Sequence, residues 1–421
     1  MTSIGTYWRT VRHLKIRQVV GRIVFRFGAP VPRGRKAPAV RSRSDRCVLP
    51  ARRDQSSFEG RRFRFLNEEH VLGDGVWDPE GISRLWRYNL HYFDDLNAFG
   101  ARTRGTLHRE LVSRWVSENP PARGTGWEPY PTSLRIVNWV KWFLGGAVPE
   151  SAWLDSMAHQ VRWLRRRMEW HLLGNHLFAN SKALFAAGMY FEGEEADSWR
   201  NCAISVISRE LCEQILVDGG QFERSPMYHI LALEDVLDLL CLVAVYGEFD
   251  ESVRALREQL EQVAVRMLAW ARAMRFEDGS LPRLNDTADG ISPSPEEMDR
   301  VALELGLVPA FRVSEPMHML LPSGYARMSW DRAVAFLDVA PVGPDYIPGH
   351  AHADTLSFEL SVGGKLFVVN RGTSCYGESQ RRTYERGTAA HSTIQVGGEN
   401  SSEVWGGFRV GRRARVSQPE I

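Results

Sequence analysis

The sequence is 421 residues long and 43% hydrophobic, enough for two or three domains with sizeable cores. Its net charge of +2 is unevenly spread: residues 1–62 hold 16 Lys/Arg against 3 Asp/Glu, which leaves 37 against 48 on the rest. Five scattered cysteines (Cys47, Cys202, Cys212, Cys241, Cys375) without a CxxC pair argue against a disulfide framework, and the absence of an 18-residue apolar run argues against a transmembrane helix.

The first thirty residues carry charges throughout and lack the apolar core of a signal peptide, so the expected location is the cytoplasm. Residues 7–27 predict one basic amphipathic helix, with Val11, Leu14, Val20, Ile23 and Phe27 among its apolar positions. A basic front end suits nucleic acid or an anionic membrane surface. A solvated basic segment packed on a mildly acidic body explains it more simply, and no nucleic-acid partner is expected. Residues 28–57, rich in Pro, Arg and Ser, read as an extended linker.

From about 80 to 310 the pattern is helical. Trp153, Met157, Val161 and Leu164 keep the helical period, as do Leu256, Leu260, Val263 and Met267. Breaks fall at ENPPARGTG, HLLGN, VDGGQFERSP, VYGEFDE and FEDGSLPRLND, which suggests helix pairs joined by Gly- and Pro-containing loops. After about 315 the period changes to short strands in GYARMSWDRAVAFLDVAP, TLSFELSVGGKLFVVN and HSTIQVGG. Leu356, Phe358 and Leu360 fall on one face. Helices followed by strands, without alternation, imply segregated layers. The ranges drawn are 1–62 for the basic helix and linker, 63–312 for the helical domain and 313–421 for the antiparallel β domain.

Four clusters at element breaks could carry chemistry. Asn175 and His176 follow a glycine and open a helix, either as a cap or as hydrogen-bond donors aimed at a ligand. Tyr228 and His229 lie just after Pro226; the Tyr228 hydroxyl is a candidate proton donor or acceptor, with plain packing the alternative. Asp286 and Asp289, in SLPRLNDTADG, read as turn carboxylates. In GHAHADTLSFEL and AHSTIQV, three histidines (His350, His352, His391) with Asp354 nearby make a zinc-like set.

Taken in order, WHLLGNHLFANSKAL, FERSPMYH, LPRLNDTADG, GHAHADTLSFEL and AHSTIQVGG resemble the heparinase II/III superfamily of polysaccharide lyases, over roughly residues 80–415. The resemblance implies an α+β multidomain fold, an incomplete α/α-toroid followed by an antiparallel β-sandwich. It implies β-elimination on a uronic-acid-containing glycan, with no redox or group-carrying cofactor. Asn175 and His176 match the family's carboxylate-neutralising pair, Tyr228 its acid or base, and His350 the histidine facing that tyrosine. Trp127, Tyr130, Arg135, His229 and Tyr384 are the candidate substrate contacts, since aromatic faces pack on sugar C–H groups. His352 and His391 match two zinc ligands. The third position, an Asp in the family, is Asn370 here. An amide oxygen is a weaker ligand than a carboxylate, so weak or absent zinc is expected. Asp354 could substitute as the third ligand, but its place in the strand alternation points it elsewhere, and it is expected to orient its turn by hydrogen bonding.

The family's β domain is usually longer, so the sandwich reads as abbreviated, with open strand edges that invite a homo-oligomer. The N-terminal YWRTVRHLKIRQVVGRI is similar to members associated with bacterial surface-polysaccharide gene sets. The leading expectation is a lyase acting on an acidic polysaccharide or oligosaccharide. The alternatives are a non-catalytic or repurposed glycan-binding protein of envelope-polysaccharide production, and glycoside hydrolysis, for which no facing pair of carboxylates stands out.

Overall fold

The computed structural model describes residues 4–31, 34–44, 50–308 and 316–417. Cys47 and the expected domain boundary at 312 lie outside them. By its contacts the chain gathers into two compact units. The first is Met1–Val19, Leu211–Val236 and Glu261–Ile421; the second is Val20–Glu210 and Leu237–Leu260.

In chain order the elements begin with helices α1 (Ile4–Val11) and α2 (Ile16–Arg26) and strands β1 (Ser57–Phe58), β2 (Arg62–Phe65) and β3 (Glu68–Val71). Helices α3 (Arg84–Tyr92), α4 (Gly105–Glu118), α5 (Pro129–Leu144), α6 (Ser151–Arg166), α7 (Gly174–Tyr190), α8 (Glu194–Gln214), α9 (Pro226–Tyr246), α10 (Glu251–Ala273) and α11 (Pro295–Glu304) follow. Strands β4 (Met317–Leu320), β5 (Tyr325–Trp330), β6 (Ala333–Asp338), β7 (Phe358–Val362) and β8 (Lys365–Val368) come next. Helix α12 (Gln380–Glu385) and strands β9 (Val404–Trp405) and β10 (Arg409–Val410) complete the order. The helical region and the antiparallel sheet are segregated along the chain, as expected.

The single N-terminal helix expected over 7–27 is instead two helices. The break at Arg12–Lys15 is closed by the Leu14 N–H on the Val11 carbonyl and by the Gln18 side chain accepting from the Lys15 N–H, at 3.0 Å each. The linker is extended and pinned: the Arg41 N–H donates to the Tyr190 carbonyl, and the Glu192 N–H to the Ala39 carbonyl. The three-stranded sheet β1–β2–β3 falls in a stretch for which no strand was expected. Its signal was present in RFRF and in the Leu66–Asn67 turn, where both residues have positive φ (55° and 60°), as a tight hairpin turn requires.

In the second unit α5 packs on α3, α6 and α7. Helix α7 is buried all round from Leu177 to Tyr190, as a central helix must be. Its Lys182 is buried too. Lys182 and the partly buried Lys141 each place Nζ 2.5 Å from Asp238 Oδ2, so two ammonium groups share one buried carboxylate.

In the first unit the sheet is an antiparallel meander in the order β4-β5-β6-β7-β8, and β9 and β10 form a separate ribbon. Its core joins Trp270, Met274 and Phe276, at and just past the end of α10, to Leu320, Tyr325 and Phe336 of the sheet. Two strand expectations change. HSTIQVGG forms no strand, and Ile394 and Val396 are exposed. In β7 the buried side chains are Glu359 and Ser361, while Phe358 and Val362 are exposed.

Candidate functional site

Four motif loops each carry a non-glycine residue at positive φ: Leu173, Arg224, Asn285 and Leu356, at 65°, 61°, 53° and 62°. Such conformations cost of order 1–3 kcal/mol each and persist where surrounding contacts enforce them, which marks these loops as fixed in shape.

In the first unit Arg224 precedes α9 and places Tyr228 in its first turn. The Tyr228 ring stacks on the His350 imidazole, centroids 3.7 Å apart and planes 13° from parallel. The Tyr228 hydroxyl lies 3.3 Å from that of Tyr376. On the other side of His350, Nδ1 is 2.7 Å from Glu223 Oε2, a contact whose angle falls short of a hydrogen bond. Glu223 is buried, whereas Tyr228 and His350 are partly exposed. His350 thus has a phenol on its face and a buried carboxylate at Nδ1, and the two proton-carrying rings are partly exposed.

Below them lies a fully buried ionic network. Arg382 grips the Asp286 carboxylate with both terminal nitrogens, Nη2 at 2.7 Å from Oδ2. His352 Nε2 lies 2.7 Å from Asp286 Oδ1. Burial alone would raise the Asp286 carboxyl; the His352 hydrogen bond and the Arg382 charge overcome it and hold the group well below the usual carboxylate range. Asp286 is therefore a structural anion rather than a turn carboxylate. Asp289 is exposed and pairs with Arg283 at 2.7 Å. Gly372, at φ +63°, closes the loop next to this network: a Cβ there would lie 2.2 Å from the Thr287 carbonyl oxygen.

His352, Asp354 and His391 are all buried, and one ligand atom from each lies within 4.8 Å of the others. His352 Nδ1 faces His391 Nε2 at 3.3 Å. Burial first, and then the neighbouring His352, lower His391 to about 4, so it is neutral near pH 7 as a metal ligand must be. The Asp286–His352 contact is the carboxylate support that metal-bound histidines commonly have. Two imidazoles and a carboxylate suit zinc. The carboxylate of this set is Asp354. The Asn370 side-chain oxygen accepts the Ser392 N–H at 2.8 Å. Asp354 also accepts the Asn285 N–H at 3.1 Å, which ties its turn to the loop that carries Asp286.

In the second unit Leu173 leads into α7, whose first turn carries Asn175 and His176, both partly exposed. His176 Nδ1 lies 3.1 Å from Glu169 Oε2. Glu169 is buried and held in turn by Asn180, whose side chain accepts the Glu169 N–H at 2.7 Å and donates to Oε2 at 3.2 Å. The Tyr130 ring packs on His176 with centroids 4.5 Å apart. His176 is thus an oriented imidazole with a carboxylate behind it.

Three expected substrate contacts are core residues. Arg135 is fully buried; it donates to Gln160 and to the His91 and Gly126 carbonyls, and lies 3.8 Å over the Trp115 ring. His229 is fully buried against Trp270, with Nε2 3.0 Å from the Met267 carbonyl. Trp127 is 4% exposed, and its Nε1 donates to the Asn119 carbonyl. Tyr130 and Tyr384 remain accessible. Sequence reasoning missed Glu223, Glu169 and Arg382. Glu223 stood in view in FERSP, an acid between a Gly-Gly pair and a helix-starting proline.

Helices followed by an antiparallel meander, with loops that carry tyrosine, histidine and buried carboxylates, define a two-part protein equipped to move protons. Residues 80–298 match the heparinase II/III N-terminus model and residues 312–421 the heparinase II/III-like C-terminal model. The chain belongs to the heparinase II/III family. Its curated relatives include a heparin-sulfate lyase of Bacteroides stercoris, 26% identical over 254 residues, covering 55% of this chain and 37% of the relative. The heparin-sulfate lyase of Bacteroides thetaiotaomicron is 24% identical over 341 residues, covering 70% and 48%. The chain thus spans less than half the length of either. Among solved structures, heparinase III superposes with a TM-score of 0.60 at 20% identity, covering 77% of this chain and 57% of that one. The heparan sulfate lyase of Pedobacter heparinus gives 0.50 at 22% identity, covering 82% and 60%. At these identities the structural likeness speaks to the fold. No helix among the described residues is long and apolar enough to cross a membrane.

Proposed function

We propose that the chain is a polysaccharide lyase that cleaves a uronic-acid-containing glycan by β-elimination, in bacterial surface-polysaccharide metabolism. The observation that carries this reading is the stacked Tyr228–His350 pair with Glu223 behind it. The family's relatives named as heparin-sulfate lyases support it.

The C5 proton of a uronate is weakly acidic, and its removal leaves negative charge on the adjoining carboxylate. Asn175 and His176 match the family's pair that neutralises such a charge, and Glu169 and Tyr130 fix the His176 imidazole. The Tyr228 hydroxyl and His350 perform the proton transfers: one removes the C5 proton, and one protonates the departing O4. Glu223 keeps His350 in position. A zinc ion held by His352, Asp354 and His391 would supply a structural tie between their loops, and the proton transfers use the other side chains. Tyr384 and Tyr130 are the remaining candidates for sugar contacts.

The test is incubation of the purified chain with a panel of polyuronates and heparan sulfate, following ultraviolet absorbance of the conjugated unsaturated product. Elimination alone produces it. Bond cleavage without that absorbance points to hydrolysis, and tight glycan binding without cleavage points to a binding protein; either result overturns the lyase assignment.

A further inference from the structure

Helices α1 and α2 are docked inside out. In α2 the residues Ile16, Val19, Val20, Ile23, Val24 and Phe27 follow the i, i+3, i+4, i+7 rule along the helix and its next residue, yet all are between 47% and 86% exposed. The side of α2 that packs inward carries Gln18, which is buried, Gly21, where a Cβ would come within 2.9 Å of the His171 backbone nitrogen, and one aromatic, the half-buried Phe25, on His171 and Arg167. Helix α1 repeats the arrangement. Its buried residue is Thr6, and Thr6 and Arg9 both bond Glu403. Ile4, Tyr7, Trp8 and Val11 are exposed.

A solvated basic segment would turn its apolar side inward, because an exposed stripe forgoes about 25 cal/mol per Å² of burial. These helices do the reverse. Their charge points to the occupant. Residues 1–44 contain eleven Lys/Arg and no Asp or Glu. At 100° per residue, Arg17 borders the α2 stripe on one side and Arg22 and Arg26 on the other, and all three are exposed. Two of the exposed apolar residues, Tyr7 and Trp8, are of the type that favours the boundary between water and lipid.

We infer that α1 and α2 form an interfacial anchor that lies on an anionic lipid bilayer, with the apolar stripe of α2 in the headgroup–acyl boundary and the flanking arginines on lipid phosphates. The anchor attaches the protein to a membrane surface without crossing it.

Flotation of the full chain with vesicles tests this. The chain should float with vesicles of phosphatidylcholine mixed with phosphatidylglycerol, and much less with phosphatidylcholine alone or in high salt. Val20→Glu combined with Ile23→Glu, both at exposed positions, should weaken partition by about tenfold or more. Arg22→Gln combined with Arg26→Gln should weaken it several-fold. The inference is overturned if the chain stays with the buffer in the presence of anionic vesicles, or if both variants float like wild type. A wild-type dimer that becomes a monomer in V20E/I23E, without vesicle binding, would assign the stripe to a second copy. Salt-sensitive retention on duplex DNA without vesicle binding would assign the cations to nucleic acid.

Discussion

Tyr228 shows how a single atom can be separated from its ring. Stacking on His350 is a property of the ring, whereas proton transfer belongs to the hydroxyl. Tyr228→Phe should therefore leave the melting temperature close to wild type. It should lower elimination by on the order of 10²-fold, the usual scale for a positioned acid or base. Full activity in the variant would refute the assignment. Glu359 gives a second prediction. Burial raises its carboxyl to about 7, against an ordinary value of 4.5. The folded state keeps a proton that the unfolded state loses between those values, so the group's contribution to stability declines as pH rises through the window. Glu359→Gln can still accept the Asn370 N–H but does not titrate. Its stability relative to wild type should grow between about pH 4.5 and 7 and level off above, as thermal melts across that range would show. Residue types and spacing exposed Tyr228, His350 and His176 in the sequence. Arg135, His229 and Trp127 were misjudged because a polar group or an aromatic face marks a candidate contact but does not report burial. Partners inside the fold, such as the Gln160 side chain and two carbonyls for Arg135 and the Met267 carbonyl for His229, turn such residues into core.

At the scale of elements, breaks and periods were readable. All five Gly/Pro breaks separate helices or end them, and the period change near 315 marks the start of the meander. Which face of a strand turns inward was not. In β7 the alternation is plain, yet Glu359 and Ser361 occupy the buried positions, Glu359 accepting the Asn370 N–H at 2.7 Å. The pattern gives two faces and leaves the inward one to the partners that the fold supplies. The central helix α7 carries a comparable polar demand. Asp238→Asn would leave the buried Lys182, and the partly buried Lys141 beside it, without their counter-charge, and should destabilise the chain by roughly 3–5 kcal/mol in chemical denaturation. For the loops around the histidine pair, elemental analysis should find zinc in the wild type and less in Asp354→Ala and His391→Ala, with Asn370→Ala unchanged. Loss of zinc in the Asn370 variant would add that residue to the set, and a wild type without zinc would match the weak or absent zinc expected from the sequence.

For the molecule as a whole, contiguous ranges drawn along the sequence miss that each compact unit is assembled from separated stretches, because chain order does not encode which distant segments share a core. The longest of these ties joins α1 to the ribbon. Glu403 accepts from Thr6 and Arg9, Thr10 accepts from the Trp405 indole N–H at 3.0 Å, and the Tyr7 ring meets that indole edge-on. The pair is exposed to solvent, which screens it, so Glu403→Ala should leave global stability little changed. It should nevertheless release α1, seen as faster tryptic cleavage at Arg9 and Arg12. Unchanged cleavage there would show that the ring contact alone holds the helix.

The same tie sets an order of events during synthesis. Arg9 and Glu403 are 394 residues apart in the chain. At about 5–20 residues per second, the first helix leaves the ribosome about 20–80 s before its anchoring carboxylate is made. For that interval its aromatic and aliphatic side chains have no native partner, and a nascent-chain chaperone or a nearby lipid surface can capture them. The protein's attachment to its surroundings can thus be decided before its fold is complete.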